Sequence, residues 1–154
     1  MTGEEQGTLY LCATPIGNLE DITLRALKVL KEVDLIAAED TRRTRKLLSR
    51  YAIHTRVTSY HEHNRQTKGE YILNFLRAGK QVALVTDAGL PGISDPGEEM
   101  VALALKNGVR VVPVPGPNAA LTALVASGLS ASRFCFEGFL PAAFRDRVAR
   151  LKVL

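Results

Sequence analysis

Three segments rich in glycine and proline are the part of the sequence best suited to binding a small ligand. They are residues 14–19 (TPIGNL), 87–97 (DAGLPGISDPG) and 115–118 (PGPN), and each follows a short apolar run. Glycine and proline fix tight backbone paths, and glycine also lets a ligand approach main-chain groups closely. Each segment alone is explained equally well as a turn. Three such segments at one edge of a sheet favour a binding site over three unrelated turns.

Two adjacent carboxylates, Glu39 and Asp40, end another apolar run and stand directly before a basic stretch. Residues 39–56 contain six basic side chains and two acidic ones. A carboxylate at a strand end is able to act as a general base, but Asp40 is also well placed to cap the helix that follows it. The basic side chains could grip phosphates, or they could form a solvated helix face. The phosphate candidates are Arg42, Arg43, Arg45 and Lys46.

A further polar cluster, residues 59–64 (SYHEHN), contains two of the three histidines. His61 and His63 are separated by one residue on a short loop, and no third ligand follows at a usual zinc spacing, which disfavours a metal site. Proton handling or contact with a nucleic acid suits these side chains better. On residue types alone, a polar loop that caps the next helix fits best.

Short β-rich runs alternate with helical stretches along the chain. This alternation predicts an α/β fold, with a mostly parallel five-stranded sheet and helices on both faces. Ligands of such sheets bind outside the carboxyl ends of the strands, where the polar segments would meet. The predicted strands are residues 8–13, 35–38, 56–60, 81–86 and 109–114, and one more is predicted to begin at 134–136.

The helices carry their own start signals. Asp95, Pro96 and Glu98 form a capping sequence, and Pro117 opens the last clear helix. Residues 142–154, with four basic side chains and one acidic, are either a basic helix or a loose tail. The first helix is expected to carry a row of leucines on one face, namely Leu24, Leu27 and Leu30. The predicted helices are residues 23–33, 41–51, 64–77, 96–107 and 117–128.

Composition restricts the class of protein. The chain has 154 residues, 46% of them apolar and 23% charged, with a net charge of +4, which fits one globular domain. No G-x-G-x-x-G follows the first strand and no P-loop lysine motif occurs, which disfavours the usual dinucleotide and phosphate loops. The polar start is unlike a signal peptide, and no apolar run reaches the roughly 20 residues of a membrane helix. Cys12 and Cys135 are predicted to be buried and reduced, as in a cytoplasmic protein.

In their order and spacing, these segments resemble the small-subunit (16S) ribosomal RNA cytidine-2′-O-methyltransferases, a family within the tetrapyrrole-methylase superfamily. The resemblance covers about residues 7–141. Its glycine- and proline-rich loops are shared more widely with tetrapyrrole methylases and diphthine synthase, whereas AEDTR and SYHEHN point to the RNA enzymes. The matching segments are residues 10–21 (YLCATPIGNLED), 38–42 (AEDTR), 59–64 (SYHEHN), 86–97 (TDAGLPGISDPG), 112–119 (VPVPGPNA) and 136–141 (FEGFLP).

The resemblance implies an enzyme that uses S-adenosylmethionine to methylate a cytidine ribose in 16S ribosomal RNA of the small subunit. It further implies a cytoplasmic homodimer, without membrane or metal, whose cofactor lies between two domains. Residues 1–141 would be the N-terminal α/β methylase domain, and residues 142–154 a basic tail or the start of the interdomain linker. The second domain would be absent from this chain, which alone would be weak or inactive.

Three sets of site residues are expected from the resemblance and the loop positions. The candidate bases for the ribose proton are Glu39, Asp40 and His61. The expected cofactor contacts are Pro15, Ile16, Gly17, Asn18, Asp87, Ala88, Gly89, Ser94, Asp95, Pro115 and Gly116. The expected RNA contacts are Arg42, Arg43, Arg45, Lys46, His63 and Asn64.

Two other functions stay open on the sequence. One is a small-molecule, tetrapyrrole-type methylase of the same fold, which would not need the basic helix. The other is a non-catalytic half-domain that at most binds RNA or dimerises. Binding of a tetrapyrrole but not of RNA would select the first.

Overall fold

The computed structural model describes residues 6–95 and 97–154. The strands are β1 (Thr8–Cys12), β2 (Leu35–Ala38), β3 (Val57–Ser59), β4 (Val82–Val85) and β5 (Arg110–Val114). They form one sheet of five strands in the order β3-β2-β4-β1-β5, and every neighbouring pair is parallel. The predicted α/β class and five-stranded sheet are therefore confirmed.

Helices connect the strands and extend the chain beyond the sheet. They are α1 (Leu24–Glu32), α2 (Thr41–Arg50), α3 (Arg65–Arg77), α4 (Gly97–Lys106), α5 (Ala119–Ala126) and α6 (Phe144–Leu151), with a short 3₁₀ turn at Leu19–Asp21. The first four occupy the stretches predicted for them to within about two residues. The alternative of a basic helix for residues 142–154 is the one that the structure adopts, as α6.

The core lies on both faces of the sheet. Strands β2 and β4 are buried at every residue, as expected when helices cover both faces. Alternate side chains of one strand enter different cores, because successive residues of a strand point to opposite faces. Ile36 packs with Leu30 of α1 and with residues of α2, whereas Leu35 packs with Leu73 of α3 and with residues of α4. Thus α1 and α2 cover one face, and α3 and α4 cover the other.

The buried face of α1 does not include all three leucines of the predicted row. Thr23 caps this helix, and its hydroxyl accepts a hydrogen bond from the Ala26 N–H at 3.0 Å. Ala26 and Leu30, four residues apart, are buried, and Leu27 is partly buried. Leu24, the first leucine of the predicted row, is 86% exposed. It precedes Ala26 by two residues, which places it about 200° around the helix from the buried face.

Capping residues set the starts of α4 and α5. The Asp95 carboxylate accepts from the N–H of the first residue of α4, Gly97, at 2.7 Å, as the capping sequence predicts. The part of that prediction that concerns Pro96 lies outside the described residues. The next helix, α5, begins at Ala119 rather than at Pro117, and Asn118 caps it by accepting from the Leu121 N–H at 2.9 Å.

Residues 115–154 differ from the rest of the described chain because none of them is buried. The strand predicted to begin at 134–136 is wrong, since these residues form no strand and Phe134 and Phe136 are 58% and 50% exposed. An apolar run forms a strand only beside a neighbour that satisfies its main-chain groups. Cys12 is buried as predicted, and burial raises the pKa of its thiol to about 12. Cys135 is exposed, so its predicted burial is also wrong.

Candidate functional site

The polar segments meet at one edge of the sheet, because all five strands are parallel and their carboxyl ends coincide there. The loops after β1 and β4 are joined directly. The Thr14 N–H donates to the Gly89 carbonyl at 2.9 Å, and the Gly89 N–H donates to the Thr14 carbonyl at 3.0 Å. The Thr14 hydroxyl also donates to the Thr86 carbonyl at 3.1 Å. The prediction that these two loops share an edge is confirmed.

The direction in which the chain connects successive strands reverses where these loops meet. Strands β1 and β4 are neighbours, but the chain leaves β1 towards β2 and leaves β4 towards β5, on the other side. The helices that follow them, α1 and α4, pack on opposite faces. Such a reversal leaves a crevice between the two strand ends, and open parallel sheets bind their ligands in that crevice.

A network of carboxylates links the ends of β2 and β4. The Asp40 N–H donates to Asp87 Oδ1 at 3.1 Å, and the Asp87 N–H donates to Glu39 Oε2 at 3.4 Å. Arg43, in the first turn of α2, forms an ion pair with Asp87 Oδ2 at 3.2 Å. The basic helix α2 is therefore tied to the strand-end edge through Asp87.

The neighbours Glu39 and Asp40 are in opposite electrostatic environments. Burial raises the pKa of Glu39 above its ordinary value, the charges of Asp87 and Asp95 act in the same direction, and the Asp87 N–H and Arg43 act against them. Hydrogen bonds from the side chain and main chain of Arg42 lower the pKa of Asp40 to about 2. Asp40 caps α2, accepting from the Arg42 N–H at 2.8 Å. Glu39 is thus the better placed of the two to accept a proton near neutral pH.

The loop after β3 has hydrogen bonds of its own. The Tyr60 N–H donates to the Ala38 carbonyl at 2.8 Å, which holds this loop beside Glu39. Asn64 Oδ1 accepts from the His61 N–H at 2.9 Å, and Asn64 Nδ2 lies 3.0 Å from Ser59 Oγ and 3.2 Å from His61 Nε2. The His61 and His63 rings are 6.0 Å apart, edge to face. His61 is therefore fixed by Asn64 rather than by a charged group.

A first cavity, which we call the glycine-loop cleft, opens beside the loop after β4 and has a volume of about 540 Å³. Its walls combine main chain, small side chains and two phenylalanines with a few carboxylates. The lining residues are Glu39, Thr86, Asp87, Ala88, Gly89, Leu90, Ile93, Ser94, Asp95, Asn118, Ala119, Ala120, Phe136 and Phe139.

Two more cavities flank the glycine-loop cleft. The histidine cleft, of about 530 Å³, is lined by Glu39, His61, Glu62, His63, Arg65, Ser94, Asp95, Glu98 and Glu99. The proline groove, of about 290 Å³, is lined by Thr14, Pro15, Leu19, Arg43, Thr44, Lys46, Leu47, Thr86 and Asp87. Because Glu39, Ser94 and Asp95 line both clefts, the two clefts are adjacent and Glu39 stands at their boundary.

The predicted cofactor residues are only partly brought together. Five of them line the glycine-loop cleft, namely Asp87, Ala88, Gly89, Ser94 and Asp95. Pro15 lies in the proline groove, and Asn18 caps the 3₁₀ turn by accepting from the Glu20 N–H at 3.1 Å. Ile16 and Gly17 lie between them on the same loop. Pro115 and Gly116 are exposed and outside all three cavities. A Cβ on Gly116 would come within 2.9 Å of the Ala13 Cβ, so this glycine allows the loops to pack closely.

The remaining predicted residues are distributed around the same edge. Glu39, His61 and His63 line the histidine cleft, and Arg43 and Lys46 line the proline groove. Asp40 lies outside the three cavities, where it is bound by Arg42 through its cap and an ion pair of 2.9 Å. Arg45 lies farther along α2, in a separate depression beside His54. Asn64 is engaged in the hydrogen bonds of its own loop.

Some lining residues were not predicted as site residues. Arg65 forms an ion pair with Glu99 of 2.5 Å across the histidine cleft. Phe136 and Phe139 line the glycine-loop cleft together with Asn118. Asn118 and both phenylalanines lie in the segments that carry the family resemblance, so the resemblance was the signal in the sequence that could have identified them as site residues. The pairing of Arg65 with Glu99 joins α3 to α4 and leaves no local pattern in the sequence.

A metal-binding cluster and a membrane-spanning helix are both absent from the described part of the chain. Within residues 6–95 and 97–154, no group of three or more histidine, cysteine, aspartate or glutamate side chains is arranged to hold a metal ion. No helix in the same two ranges is long and apolar enough to cross a membrane.

The fold and this edge define a doubly wound α/β domain with a small-molecule cleft at its strand ends. Comparison with known families gives one match over nearly the whole chain: the profile of the tetrapyrrole (corrin/porphyrin) methylases matches residues 8–149. The chain belongs to the tetrapyrrole methylase family.

Among curated proteins, the chain is similar to several called ribosomal RNA small subunit methyltransferase I. The protein from Halalkalibacterium halodurans is 57% identical over 94% of this chain and 50% of its own length. The protein from Escherichia coli O157:H7 is 55% identical over 97% of this chain and 52% of its own length. The chain therefore spans about half the length of the curated relatives it matches.

Among solved structures, the chain is similar to uroporphyrin-III C-methyltransferase from Thermus thermophilus, with a TM-score of 0.63 at 23% identity, over 82% of this chain and 55% of the other. A conserved hypothetical protein from Aeropyrum pernix K1 gives a TM-score of 0.67 at 25% identity, over 86% of this chain and 46% of the other. These similarities agree with the observed α/β fold.

Proposed function

We propose that this chain carries the first half of an enzyme that uses S-adenosylmethionine to methylate the ribose 2′-oxygen of a cytidine in 16S ribosomal RNA, and with it one wall of the cofactor site. The observation that carries the proposal is the meeting of two clefts at Glu39, beside the basic helix α2. The names of the relatives support small-subunit ribosomal RNA as the substrate. The cytidine and its 2′-oxygen follow from the family resemblance of the sequence.

The glycine-loop cleft suits S-adenosylmethionine. Its volume of about 540 Å³ lies within the usual range for small-molecule sites. Phe136 and Phe139 offer an apolar wall to a purine, and Gly89, with φ of +83°, allows a main-chain path that other residues rarely adopt. Asp87 and Asp95 place negative charge where a cationic sulfonium would lie. When bound, the cofactor supplies an electrophilic methyl group.

The proposed cofactor contacts fall into two groups. The groups that line the glycine-loop cleft would touch the cofactor directly, and the loops after β1 and β5 would complete the site from its rim. The first group is Asp87, Ala88, Gly89, Ser94 and Asp95, and the second is Pro15, Ile16, Gly17, Asn18, Pro115 and Gly116.

The histidine cleft suits the nucleotide that receives the methyl group. The cofactor, when bound, would supply the methyl group to the ribose 2′-oxygen with loss of its bond to sulfur, and the hydroxyl proton would need an acceptor. Glu39 is the proposed acceptor of this proton, because it lines both clefts and its pKa is raised by burial. Holding the two reactants in adjacent clefts supplies the alignment that such a displacement needs.

The basic residues of α2 are proposed to bind RNA phosphates. Arg42, Arg43, Arg45 and Lys46 are all exposed, while the opposite face of the helix is buried through Thr44, Leu47 and Leu48. Arg43 and Lys46 lie closest to the site, since both line the proline groove. Arginine and lysine at this place would fix the RNA backbone without reading its sequence. His63, in the histidine cleft, is proposed as a further RNA contact.

A transfer assay tests the proposed function. The chain would be incubated with S-adenosylmethionine labelled in its methyl group and with purified small ribosomal subunits, and in a parallel arm with a tetrapyrrole. Label on a cytidine ribose of 16S ribosomal RNA is the expected result, at a low rate, because the chain spans about half the length of its relatives. Label on the tetrapyrrole alone would favour a small-molecule methylase. Binding of RNA without any transfer would favour a non-catalytic role for this part of the protein.

A homodimer in the cytoplasm is the proposed working form. Residues 115–154 expose several large apolar side chains, among them Val125, Leu129 and Phe144, each at least 73% exposed. Exposed apolar surface of this kind marks contact with another protein surface, and a second copy is the simplest candidate. Sedimentation of the purified chain at several concentrations measures this directly, and a monomer at all concentrations would contradict it.

A further inference from the structure

We infer that Asn64 is a positioning residue that holds His61 in a single tautomer, with the proton on Nδ1 and the lone pair of Nε2 facing Asn64. The assignment depends on three hydrogen bonds within the loop after β3, between Ser59, His61 and Asn64. It replaces the RNA contact expected of Asn64 from the sequence. The consequence for methyl transfer, given below, rests on the proposed function, whereas the tautomer itself does not.

The orientation of the Asn64 amide is fixed by the main chain. The N–H of His61 donates to Asn64 Oδ1 at 2.9 Å. If the amide were flipped, its NH₂ group would face this N–H, and two donors would oppose each other. Oxygen and nitrogen of an amide are told apart by their hydrogen-bond partners. The main-chain donor therefore sets Oδ1 towards His61 N and Nδ2 towards the side chains of Ser59 and His61.

The tautomer of His61 follows from that orientation. The Asn64 Nδ2 atom carries two hydrogens and no available lone pair. One hydrogen points to Ser59 Oγ at 3.0 Å and the other to His61 Nε2 at 3.2 Å, so Nε2 accepts. A neutral imidazole has one donor and one acceptor nitrogen. The proton therefore lies on Nδ1, which is buried and has no hydrogen-bond partner among the described residues.

The position of Asn64 in the chain supports this role. Asn64 is the N-cap residue of α3, yet its side chain makes no hydrogen bond to an N–H of that helix. Asparagine at this position ordinarily accepts from one of the first helical N–H groups. Here the amide is turned back to the histidine. The helix end gives up a stabilising contact, and His61 gains a fixed orientation.

The fixed tautomer gives Glu39 and His61 different roles in the histidine cleft. With Nε2 occupied by Asn64 and the proton on Nδ1, His61 offers a hydrogen-bond donor and no free lone pair. Because Nδ1 is buried, an acceptor oxygen of the RNA nucleotide, on its phosphate or on its base, would reach the Nδ1–H only when the loop after β3 moves on binding. Of the two groups at this cleft predicted as bases, Glu39 then remains to take up the ribose proton, and His61 holds the nucleotide.

Long-range proton–nitrogen NMR correlations of the histidine rings test the inference on this chain. We expect His61 to show a protonated Nδ1 and an unprotonated Nε2. In Asn64→Asp, an oxygen replaces the nitrogen that faces Nε2, so the proton is expected to move to Nε2. Ser59→Ala is the matched control, since it removes the other partner of the amide and leaves the bond to His61. His63, which makes no bond to Asn64, serves as an internal reference.

Two results would overturn the inference: a protonated Nε2 in the unaltered chain, or the same ring pattern in Asn64→Asp as in the unaltered chain. If Asn64→Asp does not fold, the spectrum of the unaltered chain still decides. Titration with cytidine and, separately, with inorganic phosphate shows which oxygen shifts the Nδ1 signal, and no shift with either would remove the ligand role of His61. Label on a tetrapyrrole but not on RNA in the transfer assay would contradict the proposed function and leave the tautomer standing.

Discussion

The two clefts that meet at Glu39 have nearly the same volume, about 540 and 530 Å³, but very different walls. The glycine-loop cleft is lined mainly by small residues, main chain and the rings of Phe136 and Phe139. The histidine cleft is lined almost wholly by charged and polar side chains. A largely apolar cleft with three carboxylates suits a heteroaromatic and cationic cofactor. The histidine cleft, with five carboxylates, two imidazoles and one arginine, suits the hydroxyl and amino groups of a nucleoside rather than its phosphate. We infer that wall chemistry separates the two reactants and that Glu39 serves both.

The largest effect is expected from Glu39→Gln. A glutamine cannot take up the ribose proton, and loss of a general base typically slows a reaction by about 10²- to 10⁴-fold. Binding of S-adenosylmethionine is expected to change little, because the glutamine fills the same space. Single-turnover transfer and calorimetry measure the two quantities separately. Glu32→Gln, at the exposed end of α1, is the control, and an unaltered transfer rate in Glu39→Gln would remove Glu39 from the mechanism.

A smaller effect is expected when one wall of the glycine-loop cleft is removed. Phe139→Ala should weaken cofactor binding by about tenfold, which corresponds to about 1.4 kcal/mol and is reasonable for the apolar contact of one phenyl ring. Phe144→Ala is a matched control, because Phe144 is 74% exposed, similar to the 86% of Phe139, and lies outside the cleft. Calorimetry with S-adenosylmethionine measures the affinity of both variants for the cofactor. Equal affinities in the two variants would mean that the cofactor does not use this wall.

The RNA side of the comparison can be tested through salt dependence. Replacing both Arg45 and Lys46 with alanine should reduce the slope of log affinity against log salt by roughly 0.7 to 0.9 for each RNA phosphate that the variant no longer binds. Neither residue forms an ion pair within the part of the chain that the structure describes. Their replacement should therefore leave the carboxylate network intact. Replacing Lys28 and Lys31 of α1 is the control, and an equal reduction of the slope there would indicate only general charge attraction.

The smallest expected effects concern stability. The raised pKa of Glu39 means that its ionisation costs stability as pH rises through the folded pKa, so Glu39→Gln should be more stable than the unaltered chain at pH 7. Asp40 is the opposite case. Its pKa falls from 3.8 to about 2, so its contribution is present above its ordinary pKa and is lost as pH falls through about 2.

Asp40→Asn should therefore be less stable than the unaltered chain at pH 7, and the difference should shrink in acid. Urea unfolding at pH 7 and at pH values near 2 measures both variants. Shifts of the same sign in Glu39→Gln and Asp40→Asn at pH 7 would show that these neighbouring carboxylates are not in opposite environments.

Much of the fold was predictable because the apolar runs of the sequence are also the segments that are buried in the structure. The continuous apolar run of β4 and the alternation of strands with helices predicted a buried parallel sheet, and parallel strands place their ends together. The position of Glu39, Asp87 and His61 at one edge followed from that alone. The strand predicted from the apolar residues at 134–136 is absent, and Leu24 of the leucine row is exposed.

The parts of the site that could not be predicted depend on contacts between distant segments. Phe136 and Phe139 reach the loop after β4 only in the folded chain. The contrast between the pKa values of Glu39 and Asp40 arises from burial in one case and from hydrogen bonds with Arg42 in the other. Because Glu39 and Asp40 are adjacent carboxylates, the sequence alone does not distinguish their pKa values. The hydrogen bond from Asn64 to His61 likewise replaces a capping role that the sequence alone favours.

The separation of the two reactants is tested most directly by mapping both ligands onto main-chain amide signals of the same chain. S-adenosylmethionine is predicted to shift the amides of Ala88, Gly89 and Ala120, and a cytidine-containing oligoribonucleotide added afterwards is predicted to shift those of His61, His63 and Arg65. Glu39 should respond to both. Shifts by both ligands in a single cleft, or by the cofactor only around His61, would contradict the account.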